Sequence, residues 1–187
     1  METLTQFCRV VSSSVYARRM PRSHQLSPFA EDFFDSAPII YRIDTHIPVS
    51  PERAWTELTR NDTLDWCSEI NSIEFTSPEP HGVETTRSAV LGHGLVKLSE
   101  KYFIWEAVPG SGRYRNAFLV TDANIPGLRR FGECTEVVAD GAGSRLRWTF
   151  AVELATSSKI AHSVVGGVFR VPLGRVKSDT IKHFRNL

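Results

Sequence analysis

Arg87 and Glu100 are the first pair of side chains whose types and spacing could do chemistry. They lie on either side of Gly92-His93-Gly94, and a two-residue turn at His93-Gly94 places them opposite each other on paired strands. Tyr102 follows Glu100 in phase on the same strand. An inward Arg–Glu pair could bind a carboxylate, phosphate or phenolate group, and a structural ion pair is the alternative.

Glu133 is a carboxylate within an otherwise apolar strand face. A turn around Asp140 to Gly143 pairs two strands and places eight residues on one shared face, namely Phe131, Glu133, Thr135, Val137, Leu146, Trp148, Phe150 and Val152. A carboxyl group among aromatic rings has either a partner or a raised pKa. Glu133 is therefore a candidate general acid or base; an ion pair with Arg87 or Arg115, or a strand bend that turns it outward, are the alternatives.

Further turns extend this face into a patch. A turn near Asn124 would place Asn116 beside Glu133, and the Pro109-Gly110 turn would place Trp105 near Asn116. The predicted patch combines aromatic walls with two polar groups: Trp105, Asn116, Phe118, Glu133, Trp148 and Phe150. Such a lining is typical of small-molecule pockets, although plain core is the alternative. Phe103 and Trp105 face inward together with Glu100 and Tyr102 only if a β-bulge interrupts their strand, and the sequence does not reveal one.

Alternating apolar residues predict the strands that must position these side chains. The first strand covers 39–47, and six more cover 70–77, 83–91, 95–108, 112–121, 129–138 and 144–154. Ser50-Pro51-Glu52 predicts a short helix after the first strand. Asn61 or Asp62 would cap a second short helix that carries Leu64 and Trp66, with Trp66 near the mouth of a cavity.

The C-terminal residues 156–187 predict one long amphipathic helix, with a kink or break at Pro172. His162 and Phe169 on its first half are candidate ligand-binding residues; His162 could look into a cavity beneath the helix, and a surface or capped position is its alternative. Gly166-Gly167 weakens this half, so we expect mobility to concentrate at 160–171. Residues 1–37 look like an extension, partly helical or poorly ordered, in which Ser27 begins a short helix through Phe33 and Phe34 that packs on the main domain, 38–187.

Composition limits the function classes. The 187 residues have a net charge of +1 and 41% hydrophobic content, which favours neither nucleic acid nor an anionic membrane as a partner. The three cysteines and six histidines match no metal-ligand spacing, and three unclustered cysteines favour a cytoplasmic location. No apolar run reaches the ~18 residues that a transmembrane segment needs, and we expect no metal and no cofactor.

The order of one strand, two short helices, six strands and a long helix resembles the START-like superfamily, also called SRPBCC. The residues that carry the resemblance are 47–55 (IPVSPERAW), Trp66, 82–87, 105–109 (WEAVP) and 143–149. The resemblance covers about residues 39–187 and implies an α+β helix-grip fold, in which an antiparallel, curved seven-stranded sheet (β-α-α-β6-α) wraps around the C-terminal helix and encloses a cavity.

The resemblance is compatible with several functions, because the superfamily has no single catalytic motif. The first hypothesis is binding or transport of a hydrophobic small molecule, such as a lipid, an isoprenoid or a polyketide. The second is a polyketide cyclase or dehydratase, in which Arg87 or Asn116 polarises a carbonyl while Glu133 or Glu100 moves protons. The third is a protein-interaction module. Whether the protein is an enzyme, and its oligomeric state, stay open.

Overall fold

The computed structural model describes residues 22–156 and 158–187, leaving aside the side chains of 159–161, 163–165 and 168–169. In chain order the elements are β1 (His24–Gln25), α1 (Phe33–Ser36), β2 (Ile39–Ile47), α2 (Pro51–Thr59), β3 (Ile70–Phe75), β4 (Thr86–Leu91), β5 (Val96–Ala107), β6 (Arg113–Ala123), β7 (Leu128–Asp140), β8 (Gly143–Leu154) and α3 (Lys159–Arg185).

The long strands form one antiparallel sheet in the order β2-β8-β7-β6-β5-β4-β3, and this curled sheet wraps around α3. The first long strand therefore pairs with the last, from Ile39 opposite Val152 to Ile47 opposite Ser144. The sequence prediction of a helix-grip fold with seven strands is confirmed. Its strand boundaries are correct within three residues, because alternating burial and turn residues are local signals.

The inner face of the sheet carries the main core together with α2 and the C-terminal half of α3. Trp55, Leu58, Trp148 and Phe184 are among its buried residues. Ser50 caps α2 by accepting a hydrogen bond from the Arg53 backbone N–H at 3.3 Å, as the sequence predicts. The capped α2 therefore closes one end of the interior next to the candidate site.

The predicted second short helix is wrong. Residues 61–66 form consecutive turns, and Leu64 adopts a left-handed φ of 61°. A leucine in that region costs free energy and cannot continue a right-handed helix. The side chains of Leu64 and Cys67 are nevertheless buried in the inner core, so burial of this segment overrides its helix signals.

Of the predicted kink or break at Pro172, the break is wrong, since α3 continues from Lys159 to Arg185 with Pro172 inside, and the kink stays a prediction. Proline removes one helical hydrogen bond, but Val176, Thr180 and Phe184 are buried beyond it and hold the helix on the core. The helix near the N-terminus begins at Phe33 rather than just after Ser27, and it covers four residues.

The outer face of the sheet is covered by residues 26–37. Phe33 and Phe34 are buried there against Ala117, Cys134 and Ala151, which confirms that these aromatic residues pack on the main domain. A structural reason is the small size of the residues beneath them, which lets the segment approach the strands closely. The domain boundary at residue 37 stays a prediction, and residues 1–21 lie outside the described part of the chain.

Candidate functional site

Arg87 and Glu100 form a buried ion pair on the inner face. They are direct register partners on β4 and β5, and the Arg87 Nε–H donates to Glu100 Oε2. The turn between the strands has positive φ at both central residues, 58° at His93 and 83° at Gly94, which is the type I′ geometry of tight hairpins. The predicted register is therefore confirmed.

Aromatic rings and neighbouring charges hold this pair in place. The side chains of Arg87 and Glu100 are only 5% and 4% exposed, and the guanidinium carbon lies 4.6 Å from the Phe118 ring centroid and 5.3 Å from that of Tyr102. Burial opposes the charge of Arg87, but Glu100, Tyr102 and Glu133 raise its pKa overall. Burial raises the pKa of Glu100, and Arg87 opposes that rise.

Glu133 brings a second carboxyl group to the same interior. It lies on β7 opposite Phe118 and Phe150, and its Oε1 accepts a hydrogen bond from the Thr135 hydroxyl at 2.9 Å. Burial raises the pKa of Glu133 to about 7, with Arg87 and Thr135 opposing the rise and Glu100 adding to it. Its carboxyl group therefore changes protonation near neutral pH.

Neither predicted cationic partner neutralises Glu133. Within the described residues, the ion pair of Arg87 is with Glu100. Arg115 lies on the outer face, where it pairs with Glu31, Glu106 and Glu136. The raised-pKa alternative therefore describes Glu133 better than the ion-pair alternative, because the side chain is partly buried without a direct countercharge.

A small cavity connects these groups. Its volume is about 10 Å³, and its lining consists of Leu58, Leu64, Arg87, Tyr102, Asn116, Glu133, Thr135 and Trp148. Trp148 is 2% exposed, and its indole Nε1–H is buried without a hydrogen-bond partner. Asn116 and Tyr102 contribute an amide and a hydroxyl to the same lining. Unpaired buried polar groups are costly, so this convergence marks a place for a polar atom from outside.

Two bulges in the pairing of β5 with β6, one on each strand, complete the aromatic wall. The register with β6 shifts between Ser99 and Glu100 and again between Tyr102 and Ile104. Phe103 is the extra residue and packs against Phe34 on the outer face, with ring centroids 6.2 Å apart. Trp105 returns to the inner face opposite Asn116, 4.9 Å from the Tyr102 ring. The bulge thus resolves the conflict between inward Glu100 and inward Trp105.

One predicted register is wrong by two residues. Asn116 lies opposite Thr135, and Phe118 lies opposite Glu133, whereas a turn centred near Asn124 requires Asn116 beside Glu133 and Phe118 beside Phe131. The connection is longer because Asn124 bonds to the neighbouring strand instead, donating to Leu95 O at 2.9 Å and accepting from the Lys97 N–H at 2.8 Å.

The structure brings most of the predicted site residues together on the inner face: Arg87, Glu100, Tyr102, Trp105, Asn116, Phe118, Glu133, Trp148 and Phe150. Trp66 lies elsewhere, stacked on His183 with centroids 3.8 Å apart and bonded to Thr180 Oγ1 at 3.2 Å. Trp66 therefore packs against the C-terminal half of α3 and stabilises its position. The side chain of Phe169 lies outside the described residues.

Hydrogen bonds occupy both ring nitrogens of His162. Its Nδ1 lies 2.9 Å from Ser158 O, and its Nε2 lies 3.4 Å from the Leu154 backbone N–H. Because a carbonyl only accepts and an amide N–H only donates, His162 is the neutral tautomer protonated at Nδ1. It fastens the first turn of α3 to the end of β8.

Sequence reasoning missed Phe75 and His81. Their rings stack with centroids 4.0 Å apart, Phe75 lies 6.4 Å from Tyr102, and His81 lies 6.2 Å from Trp105. They extend the aromatic wall from the edge strand β3 and the following loop. A histidine between prolines and glycine gives no periodic signal, so only the tertiary structure reveals its position.

The described residues do not include a set for metal binding or a membrane span. No group of three or more His, Cys, Asp or Glu residues in the described ranges is placed to hold a metal ion. Likewise, none of the helices within those ranges is long and apolar enough to cross a membrane.

Solved structures share this fold at low sequence identity. A protein titled Ara h 8.0201 superposes with a TM-score of 0.61 at 14% identity, covering 79% of this chain and 98% of that one. A START superfamily protein from Mycobacterium smegmatis gives 0.56 at 10%, covering 78% and 98%. The major latex-like protein 151 from Panax ginseng gives 0.56 at 13%, covering 78% and 96%. These likenesses show the fold alone.

Sequence comparison identifies the family. Uncharacterized proteins of Mycobacterium bovis and Mycobacterium tuberculosis are 29% identical over 144 residues, which cover 76% of this chain and 83% of theirs. A family model described as polyketide cyclase/dehydrase and lipid transport matches residues 39–179, which include the sheet, the polar cavity and most of α3. The chain therefore belongs to the polyketide cyclase/dehydrase and lipid transport family.

Proposed function

We propose that the protein binds a largely apolar small molecule between the sheet and α3, with one polar group of that molecule in the small cavity. The observation that carries this proposal is the buried indole N–H of Trp148, which has no hydrogen-bond partner among the described residues and belongs to the same cavity lining as Asn116 and Glu133. A ligand oxygen there would satisfy a donor that is otherwise left unpaired at a cost of about 1–3 kcal/mol.

The rest of the molecule would lie along the aromatic inner face. Tyr41 and Phe131 flank Phe150 and the Glu133 side of the sheet and keep part of their surface accessible. They line the side of the sheet on which α3 crosses β2. The helix approaches the strand closely there, since a Cβ on Gly166 would lie 3.3 Å from Ile39 Cγ2. Apolar walls with a few convergent polar groups are the common composition of small-molecule sites.

The small size of the polar cavity limits how much of a ligand it can hold. A volume of about 10 Å³ holds at most about one water molecule, so the polar group of a ligand replaces that water and its apolar part requires α3 to move. Pro172 and the adjacent glycines Gly166 and Gly167 make the first half of α3 the part that moves at the lowest cost.

Binding of a neutral fluorescent probe tests this function. Nile red should show saturable fluorescence enhancement with the wild type, and native mass spectrometry of gently purified protein should show a co-purified small molecule. Thr135→Leu, which fills the cavity, should weaken probe binding at least tenfold, whereas Thr149→Leu on the outer face should not. No saturable binding and no bound mass together would exclude the proposal.

A second candidate, proton-transfer catalysis on a carbonyl compound, is favoured by Glu133. Its carboxyl changes protonation at about pH 7 and lines one cavity with Arg87 and Asn116, either of which could polarise a carbonyl. Groups with a pKa near the working pH are the most effective general acids and bases. Glu100 is less suited, because its carboxylate is closed in the ion pair with Arg87.

Exchange of α-protons in D₂O distinguishes catalysis from binding alone. With 2-tetralone as the probe, a catalyst should accelerate exchange with a rate that rises through about pH 7, and Glu133→Gln should lower the rate about 100-fold or more. Glu136→Gln, on the outer face of the same strand, is the matched control. An exchange rate that Glu133→Gln leaves unchanged would reject Glu133 as the base.

A further inference from the structure

The charges around the cavity are unevenly matched. One cation, Arg87, and one anion, Glu133, line the cavity, and Arg87 is already paired with a second anion, Glu100. Across the described lining residues there is no second cation. The pair of Arg87 and Glu100 is neutral as a unit, so an ionised Glu133 leaves this interior with one excess negative charge.

The geometry of Arg87 limits what it can do for a ligand anion. Its Nε donates to Glu100, and the rings of Phe118 and Tyr102 lie close to the guanidinium at 4.6 and 5.3 Å. A bidentate grip on a ligand carboxylate or phosphate uses two adjacent N–H groups. Forming that grip through Nε requires breaking the contact with Glu100, which leaves Glu100 buried without its countercharge.

The remaining polar groups match a neutral oxygen. The indole N–H of Trp148 is a single donor without charge, and an amide and a hydroxyl, from Asn116 and Tyr102, each both donate and accept. A carbonyl or hydroxyl oxygen can take one or two such hydrogen bonds. A charged oxygen pair would need a countercharge, which these groups do not supply.

We infer that this cavity selects neutral carbonyl- or hydroxyl-bearing molecules and rejects anionic ones, because Arg87, the one cation among its described lining residues, is already neutralised by Glu100 and Glu133 adds a second carboxyl group. This inference rests on the proposed function, since it specifies the ligand class of the same site. It opposes the sequence hypothesis that the Arg–Glu pair binds a carboxylate, phosphate or phenolate, and it agrees with the alternative of a structural ion pair.

Three probes with the same ten-carbon chain test the inference. Decan-2-one, decanoate and decylammonium should each be titrated by displacement of Nile red from the full-length protein at pH 8. We expect decan-2-one to bind at least tenfold more tightly than decanoate, and decylammonium, which the excess negative charge does not repel, to bind more tightly than decanoate as well. Tighter binding of decanoate than of the ketone overturns the inference.

A variant of Glu133 shows whether decanoate binds weakly because of charge repulsion or because of its greater solubility in water. Glu133→Gln removes the excess negative charge and should raise the affinity for decanoate at least fivefold, whereas the matched outer-face variant Glu136→Gln should change it less than twofold. An unchanged decanoate affinity in Glu133→Gln overturns the inference. Failure of all three probes to displace Nile red, or of Nile red to bind, rejects the proposed function itself.

A pH titration of the wild type provides a test that does not depend on the folding of a variant. The titratable and charged groups that act on Glu133 are Arg87 on β4 and Glu100 and Tyr102 on β5. Glu133 also acts on Cys67 after α2 and on Cys134 on β7. Burial raises the pKa of Cys67 to about 12 and raises those of Tyr102 and Cys134, so these three groups keep their protons between pH 6 and 8.

Glu133 should therefore gain a proton as the pH falls from 8 to 6, because burial raises its pKa to about 7, while Arg87 opposes protonation of Glu100. Decanoate remains ionised over that range, because carboxyl groups ordinarily titrate at about 4 to 5. We expect its affinity for the wild type to rise about fivefold or more, with no such rise in Glu133→Gln. A decanoate affinity that does not depend on pH in the wild type overturns the inference.

Discussion

At the scale of single residues, the interior combines one guanidinium with two carboxyl groups. Arg87 and Glu100 neutralise each other at direct contact, and Glu133 interacts with both at longer range. A buried charge that keeps its partner is tolerated, and one that loses its partner is strongly unfavourable. The protonation of Glu133 and the integrity of the ion pair therefore make separate contributions to stability.

Glu133→Gln should change how stability depends on pH. The unfolded carboxyl titrates near 4.5 and the folded one near 7, so the folded state holds the proton more tightly. This contribution to the free energy of unfolding is fully present below about pH 4.5 and is lost as the pH rises to about 7. It amounts to ~3 kcal/mol at most.

Urea denaturation of both proteins at pH 5, 6, 7 and 8 measures this effect. The glutamine variant should gain stability relative to the wild type as the pH rises, and should reach a constant difference above about pH 7.5. Glu136→Gln, which faces outward, should run parallel to the wild type. Parallel curves for Glu133→Gln would mean that the pKa of Glu133 is not raised.

Arg87→Met should destabilise the protein by about 3–5 kcal/mol, because it leaves Glu100 buried without a partner. The double variant Arg87→Met with Glu100→Met should recover most of that loss. Lys101→Met, which breaks an exposed pair with Glu84 at 2.5 Å, should cost at most about 1 kcal/mol. Equal losses for the single and double variants, measured by denaturant midpoints, would contradict the buried ion pair.

At the scale of the elements, the bulge of β5 and the segment over the outer face depend on each other. The bulge moves Phe103 outward, where it meets Phe29 and Phe34. Beneath these rings, β7 carries Gly132 at the point of closest approach. The outer segment thus packs on the same strands that carry Glu133 and Trp105 inward, so its packing helps to hold the register of the site.

Gly132→Ala should therefore cost about 1–3 kcal/mol, the usual penalty for overpacking. A Cβ at this position would overlap the Phe29 ring and lie 2.5 Å from the Phe118 carbonyl oxygen, which cannot move without disturbing the β6–β7 pairing. Gly82→Ala is the control, because nothing lies within 4 Å of its Cβ position. Equal thermal midpoints for the two variants would show that the outer segment does not pack this closely.

At the scale of the whole molecule, the two halves of α3 are held differently. The C-terminal half is anchored by buried Phe184, by the contact of Trp66 with Thr180, and by Asp179, which accepts hydrogen bonds from the Ser68 backbone and hydroxyl at 2.9 and 2.8 Å. The first half contains Gly166 and Gly167, and Pro172 lies where the two halves of the continuous helix meet. A ligand that enters beneath α3 would use this difference.

Amide hydrogen exchange should be faster at 160–171 than at 174–186. Local opening is easiest where the helical backbone is least stable, since Gly166 and Gly167 weaken the helix and the proline removes a stabilising hydrogen bond. Gly167→Ala, whose Cβ meets nothing within 4 Å, should slow exchange in the first half by about fivefold, because alanine stabilises a helix by ~1 kcal/mol. Greater protection at 160–171 than at 174–186 would contradict this account.

The sequence by itself determined the run of consecutive hairpins, the long helix and two hairpin registers. His93-Gly94 and Gly141 supply the positive φ values that tight turns need, so Arg87 meets Glu100 and the β7–β8 face follows from counting residues. Both signals are local: a turn of defined length and an alternation with a period of two.

Only the tertiary structure decided which groups meet in the cavity. The bulge at Phe103 depends on packing from the outer segment, and the register of Asn116 depends on hydrogen bonds between Asn124 and β5. The turn at Leu64 depends on its burial in the core. These features arise from contacts between residues that are distant in sequence, and no local pattern encodes them. The meeting of Trp148, Asn116 and Glu133 around one small cavity is therefore a property of the folded molecule.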